Sequence, residues 1–346
     1  MELNFSEYLA LFATALIFVG VLTPLVRKVA LKIEILDAPT EAHKTHKEAI
    51  PYLGGVAIIF GTCLTTYLAI VVSGQGRALS LVSAVLIPAV LMGVIGLIDD
   101  VKKLSPWPRF IAQNLFGLVI AFILIATSTL GSPTGNTQID LLITIFWIVG
   151  ITNSINFFDN VDGGASGTVA ISSLCLFFLA LQGGQYSIAA LSLVLTGATT
   201  GFLLWNKPPA RIYMGDAGAL FLGILIATLT LRFDPNPINL SASFALPILI
   251  LAVPILDTSV AVISRLRRRI SPFQGGQDHL SHRLMRAGLS KKQAVLSLWI
   301  LSAFYCFIAI ALSNAPYDLE IIIVAVAVVI WTLSFSLFLK TASGPS

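Results

Sequence analysis

The sequence predicts an all-α, polytopic integral membrane protein of about eleven transmembrane helices, N-terminus outside and C-terminus in the cytoplasm. Three observations carry this. Apolar residues fill 56% of the 346 positions and charged residues only 11%, far from the roughly 25% charged of ordinary globular domains. The apolar residues gather in runs near the ~20 that a helix needs to cross ~30 Å of hydrocarbon. The basic residues sort to alternate connections between those runs.

In chain order the runs are Leu9–Val29, Leu53–Val72, Leu81–Ile98, Phe110–Thr127, Ile139–Ile155 and Thr168–Leu181. The remaining five are Ile188–Leu204, Ala217–Leu231, Phe244–Ile263, Ala294–Leu312 and Leu319–Leu339. The first reads as a retained helix rather than a signal peptide. Its apolar run is long, acidic Glu2 and Glu7 precede it, and no small-residue cleavage site follows. The sixth is short and opens among small residues. No span is flanked by a long polar stretch, so residues 1–346 read as a single integral domain with cytoplasmic loops.

Alternating sides along eleven spans places nineteen basic residues on one face, Arg27, Lys28, Lys102, Arg109, Arg265 and Lys291 among them. Only Arg77 and Arg232 remain for the other. Lys and Arg are retained on the cytoplasmic side, which orients the chain. The net charge of +4 follows from that asymmetry and requires no nucleic acid partner. The cluster Arg265–Arg269 reads first as an anchor for anionic lipid. Cys63, Cys175 and Cys306 fall inside spans without metal-ligand spacing and read as small packing residues.

With this topology the carboxylates converge. Asp99 and Asp100 end the third span, Asp159 and Asp162 follow the fifth in "NSINFFDNVDGGASG" (Asn153–Gly167), and Asp216 opens the eighth in "RIYMGDAG". Clustered carboxylates raise one another's pKa unless a cation sits among them. Mg²⁺, with Mn²⁺ as the alternative, takes oxygen ligands and is usually held by one or two carboxylates plus substrate phosphates. The pattern therefore points to phosphate chemistry beside a membrane. Neither a Walker-type loop nor a dinucleotide-binding glycine motif is present. Two further polar loops, Asp37–Gly55 and Gly275–Leu289, hold all four histidines: His43, His46, His279 and His282. Lys and Arg beside them favour a bound diphosphate over zinc.

Together these motifs resemble the polyprenyl-phosphate N-acetylhexosamine-1-phosphate transferases, in the undecaprenyl-phosphate GlcNAc-1-phosphate branch, over nearly the whole chain. Asp99 and Asp100 look like the paired aspartates after the family's third helix. Asn153, Asn156, Asp159, Asp162 and Gly163 resemble its N-x-x-N-x-x-D-G-x-D-G motif, and Asn206 and Asp216 its F-x-N-(x)n-F-M-G-D segment. His279, His282 and Arg283 look like its histidine loop, and Lys44 and His46 its first-loop basic segment. The sequence departs from the pattern at Asn160, where Gly is usual, at Ser281, which interrupts a His-His pair, at His43, which replaces the first-loop Arg, and at Lys103, which is Asp in some members. The first loop also reads "IPYLGG" where the peptidoglycan branch has T-P-T-M-G-G.

The resemblance implies transfer of a sugar 1-phosphate, GlcNAc-1-phosphate foremost, from a UDP-sugar to polyprenyl phosphate at the cytoplasmic face of the plasma membrane. The released nucleotide is UMP, and the lipid product starts a cell-envelope polysaccharide. It implies a catalytic set of Asp99, Asp100, Asp159 and His279. Substrate would be bound by Lys44, His46, Asn153, Asn156, Asp162, Asn206, His282 and Arg283, and metal by Asp216, Asp100 and Asp159. Asp257, inside the ninth span, stands outside that set. A homodimer is left open as a partner arrangement. The alternatives are the phospho-MurNAc-pentapeptide transferases and, in another class, a transporter, whose polar groups would lie near the bilayer midplane.

Overall fold

The computed structural model describes residues 3–37, 50–235, 240–272 and 276–341. Among the described residues the regular structure is helical apart from one two-residue antiparallel pair, β1 (Leu36–Asp37) with β2 (Ile50–Pro51). The helices are α1 (Phe5–Lys32), α2 (Gly54–Val72), α3 (Gly76–Lys102), α4 (Pro106–Ala126), α5 (Thr137–Phe158), α6 (Gly164–Gln182), α7 (Tyr186–Asn206) and α8 (Gly215–Arg232). They continue with α9 (Leu240–Ile250), α10 (Ala252–Arg267), α11 (Leu280–Arg286), α12 (Lys291–Ser313) and α13 (Tyr317–Lys340). Among the described residues ten helices are long and apolar enough to cross a membrane, and α9 with α10 makes an eleventh span if counted as one. The all-α polytopic expectation is met.

α8 is the central post. It is buried from Ala217 through Thr230, packs against α3, α5 and α2, and has no polar face, as a helix enclosed on all sides requires. α1 packs on α7 and α2, and α6 on α7 and α12. The outer helices leave apolar stripes uncovered, Ile322, Val326, Val329 and Leu333 on α13 among them. In hydrocarbon such stripes face lipid at no cost, because lipid tails are as apolar as the side chains.

Two expected spans change. The sixth begins at Gly164, not Thr168. The small residues before Thr168 are helical, and their size lets the Trp299 ring pack close; a Cβ on Gly167 would stand 2.3 Å from it. The ninth is not one straight helix: α9 and α10 meet at 79°. Pro254 has no N–H to give the carbonyl four residues back. That carbonyl, Ile250 O, instead accepts from Ser172 Oγ of α6 at 2.6 Å. A buried hydroxyl thus satisfies the group the bend releases, which is how broken helices persist in lipid.

Candidate active site

α3 and α5 finish, and α4 and α8 begin, at the same end of the bundle. There Asp100 receives the first amides of α8: Asp216 N donates to Oδ1 at 2.8 Å and Ala217 N to Oδ2 at 3.1 Å. This is an N-terminal cap delivered from a neighbouring helix, favoured by the positive end of the α8 dipole. Gly215 makes it fit, since its φ is 68° and a Cβ there would come within 2.5 Å of Asp100 Oδ2. Asp100 thereby fixes where Asp216 points.

Asp99 accepts from Leu104 N at 2.5 Å and pairs with Arg109 Nη1 at 2.6 Å. The same guanidinium nitrogen reaches Asp216 Oδ2, and Asn156 Nδ2 donates to Asp216 Oδ1 at 2.7 Å. Arg109 is therefore a cationic bridge between two aspartates. Asp99 is nearly enclosed, at 7% exposure, while Asp216 is open at 27%. Beside them a cavity of about 40 Å³ is lined by Arg109, Phe110, Gln113, Asn153, Asn156 and Phe157. In its wall Asn153 Nδ2 donates to Gln113 Oε1 at 2.6 Å.

Asp159 follows the last residue of α5. Among the described residues no hydrogen bond or ion pair engages its carboxylate. Burial, then the charges of Asp216, Asp100 and Asp162, push its pKa well above the usual carboxylate range. Such a group accepts a cation readily, because the cation relieves the repulsion that holds the proton on.

The histidine loop forms a second layer. His279 Nδ1 lies 2.7 Å from Asp257 Oδ2, and its Nε2 lies 3.2 Å from Arg265 Nη2. A guanidinium can only donate, so Nε2 accepts and the proton sits on Nδ1, toward Asp257. Asp257 Oδ1 also accepts from Leu280 N at 2.7 Å, capping α11. Arg265 further holds Asp278 at 3.2 Å and lies over the Phe157 ring. His282 has no hydrogen-bond partner among the described residues. Burial, then the neighbouring His279 and Arg286, lower its pKa to about 4, so the ring is neutral at physiological pH.

Among the described residues no group of three or more His, Cys, Asp or Glu side chains stands ready to hold a metal by itself. The donor chemistry nevertheless fits Mg²⁺: Asp216 is partly exposed at 27% and held by the displaceable side chains of Arg109 and Asn156, Asp159 has no partner among the described residues, both offer oxygen, and phosphates would complete the shell. Asp159 and Asp216 would hold it.

Several expectations change role. Asp100, expected as a catalytic group and metal ligand, has both oxygens on backbone amides and acts as the cap that orients Asp216. Asn206, 1% exposed, accepts from Gly163 N and Ser166 Oγ and donates to Ile212 O; its polar atoms brace the aspartate loop and none faces an opening. Asp162, 5% exposed, is likewise held by Ala210 N and Lys291 Nζ. Arg283 gives its guanidinium to Phe338 O, Thr341 O and Ser264 Oγ, tying α11 to the end of α13 instead of reaching toward a diphosphate. His279, with both nitrogens engaged, positions its neighbours. Lys44 and His46 lie outside the described residues.

Sequence reasoning passed over Arg109, Gln113 and Lys291 as site residues, and singled out Asp257 without placing it in the site. Arg109 carried a signal. A basic residue in the first turn of a helix opposes the dipole, so its presence in "SPWPRF" implies an acidic partner elsewhere. Two of the four departures from the family pattern, Asn160 and Ser281, are hydrogen-bonded to each other at 2.5 Å.

Residues 82–234, which hold the aspartates and Arg109 but not the histidine loop, match the family model for glycosyl transferase family 4. The chain is 34% identical over 323 residues to a probable undecaprenyl-phosphate N-acetylglucosaminyl 1-phosphate transferase of Bacillus subtilis (strain 168), covering 92% of this chain and 88% of the relative. A decaprenyl-phosphate N-acetylglucosaminephosphotransferase of Mycolicibacterium smegmatis is 32% identical, over 83% of this chain and 77% of its own. A phospho-N-acetylmuramoyl-pentapeptide-transferase of Streptococcus uberis is 28% identical, over 75% and 81%. With its aspartates gathered at one end of a polytopic bundle and relatives matched along most of its length, the chain belongs to glycosyl transferase family 4.

Proposed function

We propose that the protein transfers N-acetylglucosamine 1-phosphate from UDP-N-acetylglucosamine to undecaprenyl phosphate, releasing UMP and leaving a lipid-linked diphospho-sugar. The observation that carries this is the Arg109 bridge between Asp99 and open Asp216, beside unpaired Asp159, at the end of a membrane bundle. A polar site there meets a water-soluble nucleotide and a bilayer lipid at once. The 34% identity to the Bacillus subtilis relative over 92% of this chain, against 28% over 75% for the muramoyl-pentapeptide relative, favours that sugar. The charge asymmetry of the connections supports a site on the cytoplasmic face of the plasma membrane.

In the reaction, an oxygen of the lipid phosphate attacks the sugar-bearing phosphorus of the UDP-sugar. The bond from that phosphorus to the bridging oxygen breaks, and UMP leaves with the oxygen. Mg²⁺, when bound, neutralises the diphosphate and stabilises charge on the leaving oxygen. Arg109 turns from the aspartates to the lipid phosphate and holds it for in-line attack. Asp99, nearly enclosed and directly beside Arg109, orients that guanidinium. Asn156 keeps the Asp216 carboxylate turned toward the site. Neutral His282 donates to a phosphate oxygen without drawing the metal's carboxylates away.

The test is release of UMP by purified protein supplied with Mg²⁺, undecaprenyl phosphate and each of several UDP-sugars. The expected result is release with UDP-N-acetylglucosamine. Release only with UDP-MurNAc-pentapeptide would move the chain to the peptidoglycan reaction, and none with any sugar would overturn the transferase reading.

A further inference from the structure

The aspartate loop between α5 and α6 is tied, across more than a hundred residues of sequence, to α11 by one side chain and to α12 by two. Ser281 Oγ donates to Asn160 Oδ1 at 2.5 Å. Lys291 Nζ lies 3.3 Å from both oxygens of Asp162, and Trp299 Nε1 donates to Gly163 O at 3.1 Å. The first tie is placed unlike the others: Asn160 directly follows Asp159, and Ser281 directly precedes His282.

The Asn160 amide has one orientation available. Its Nδ2 donates to Phe157 O at 2.8 Å, which turns Oδ1 toward Ser281. Ser281 is fully buried, so no water replaces its hydroxyl. α11 has only seven residues, and its N-cap residue His279 makes no side-chain cap bond of its own; the cap comes from Asp257 of α10. A helix that short has no stability of its own, and its attitude is set by what holds it.

We propose that the Asn160–Ser281 hydrogen bond is a positioning clasp that holds α11 against the aspartate loop, keeping His282 at one fixed distance from Asp159. The clasp rests on the transferase reading above and deepens it by naming two positioning residues for that reaction. Lys291, Trp299 and Arg283 anchor the same region independently. Opening the clasp therefore leaves the fold in place but lets α11 tilt about those anchors. A displacement of about 1 Å in a catalytic group costs on the order of 10²-fold in rate.

The experiment is a double-mutant cycle of Asn160→Ala, Ser281→Ala and both, in purified protein. It reads kcat and KM for UDP-N-acetylglucosamine by UMP release, with Tm measured on the same samples. The expected result is a kcat lowered about tenfold to 10²-fold in each single variant. KM should stay close to wild type, Tm should fall by no more than the few degrees that one buried hydrogen bond accounts for, and the double variant should be no slower than the singles, because one bond is lost once. Losses that multiply in the double variant, a kcat that falls only as Tm falls, or a change confined to KM would each overturn the clasp. Wild-type protein that releases no UMP would instead overturn the transferase reading, and the clasp with it.

Discussion

Arg109 gives the sharpest test, because removing it should weaken turnover and strengthen metal binding together. Its guanidinium contacts Asp99 at 2.6 Å and also Asp216, which is the carboxylate expected to hold Mg²⁺. A cation can take Asp216 only if the Arg109 contact is given up. A hydrogen bond to a charged group contributes about 1.5–3 kcal/mol, and every 1.36 kcal/mol is tenfold. Arg109→Ala removes that competition, so the Mg²⁺ concentration giving half-maximal activity should fall about tenfold to 10²-fold. The same variant loses a donor to developing phosphate charge, a loss on the order of 10²–10³ in kcat. UMP release measured across a Mg²⁺ titration gives both numbers from one curve. A half-saturating Mg²⁺ that is unchanged or higher in Arg109→Ala would refute the bridge as a competitor for the metal site.

Asp216→Asn and Asp99→Asn should each abolish transfer while the protein still inserts and purifies normally; wild-type UMP release from either removes that residue from the site. His282 supplies a pH test. With its folded pKa at about 4 against an ordinary 6.5, the unfolded chain binds more protons between those values, so stability rises with pH across that window. Folding should be least affected above pH 6.5 and progressively weakened as pH falls toward 4. His282→Gln should flatten the Tm profile over that range, and coincident slopes would show that His282 is not the titrating group. Ser172→Ala should strand Ile250 O at the bend between α9 and α10. The cost is about 1–3 kcal/mol, seen as a Tm lowered by several degrees; an unchanged Tm would mean that another group takes the carbonyl.

Much of the architecture was legible because membrane insertion imposes simple rules on sequence. Span length, apolar runs and the side chosen by Lys and Arg are one-dimensional signals, and they counted eleven spans where the structure has ten helices and a bent pair. The bend was less legible. Pro254 was visible, but Pro247 in α9 and Pro88 in α3 sit inside helices without a break, so proline alone does not mark one. The partner hydroxyl of Ser172, far away in the chain, completes it.

For the site, the sequence by itself determined which residues could carry the chemistry: aspartates at helix ends, polar loops with histidines, and a common face for all of them. Helix ends are where charge is tolerated beside hydrocarbon, so that inference needs no coordinates. Only the tertiary structure decided what each residue does there. Asp100 and Asp216 end up in different roles because one meets two backbone amides and the other an opening. Arg283 is spent on carbonyls at the end of α13, while Arg109, unremarkable in sequence, bridges two aspartates. Asp257, inside α10, holds His279 and the first amide of α11. The physical reason is the same in each case: a carboxylate, imidazole or guanidinium takes its role from the few donors and acceptors within ~3 Å, and here those come from helices far apart along the chain.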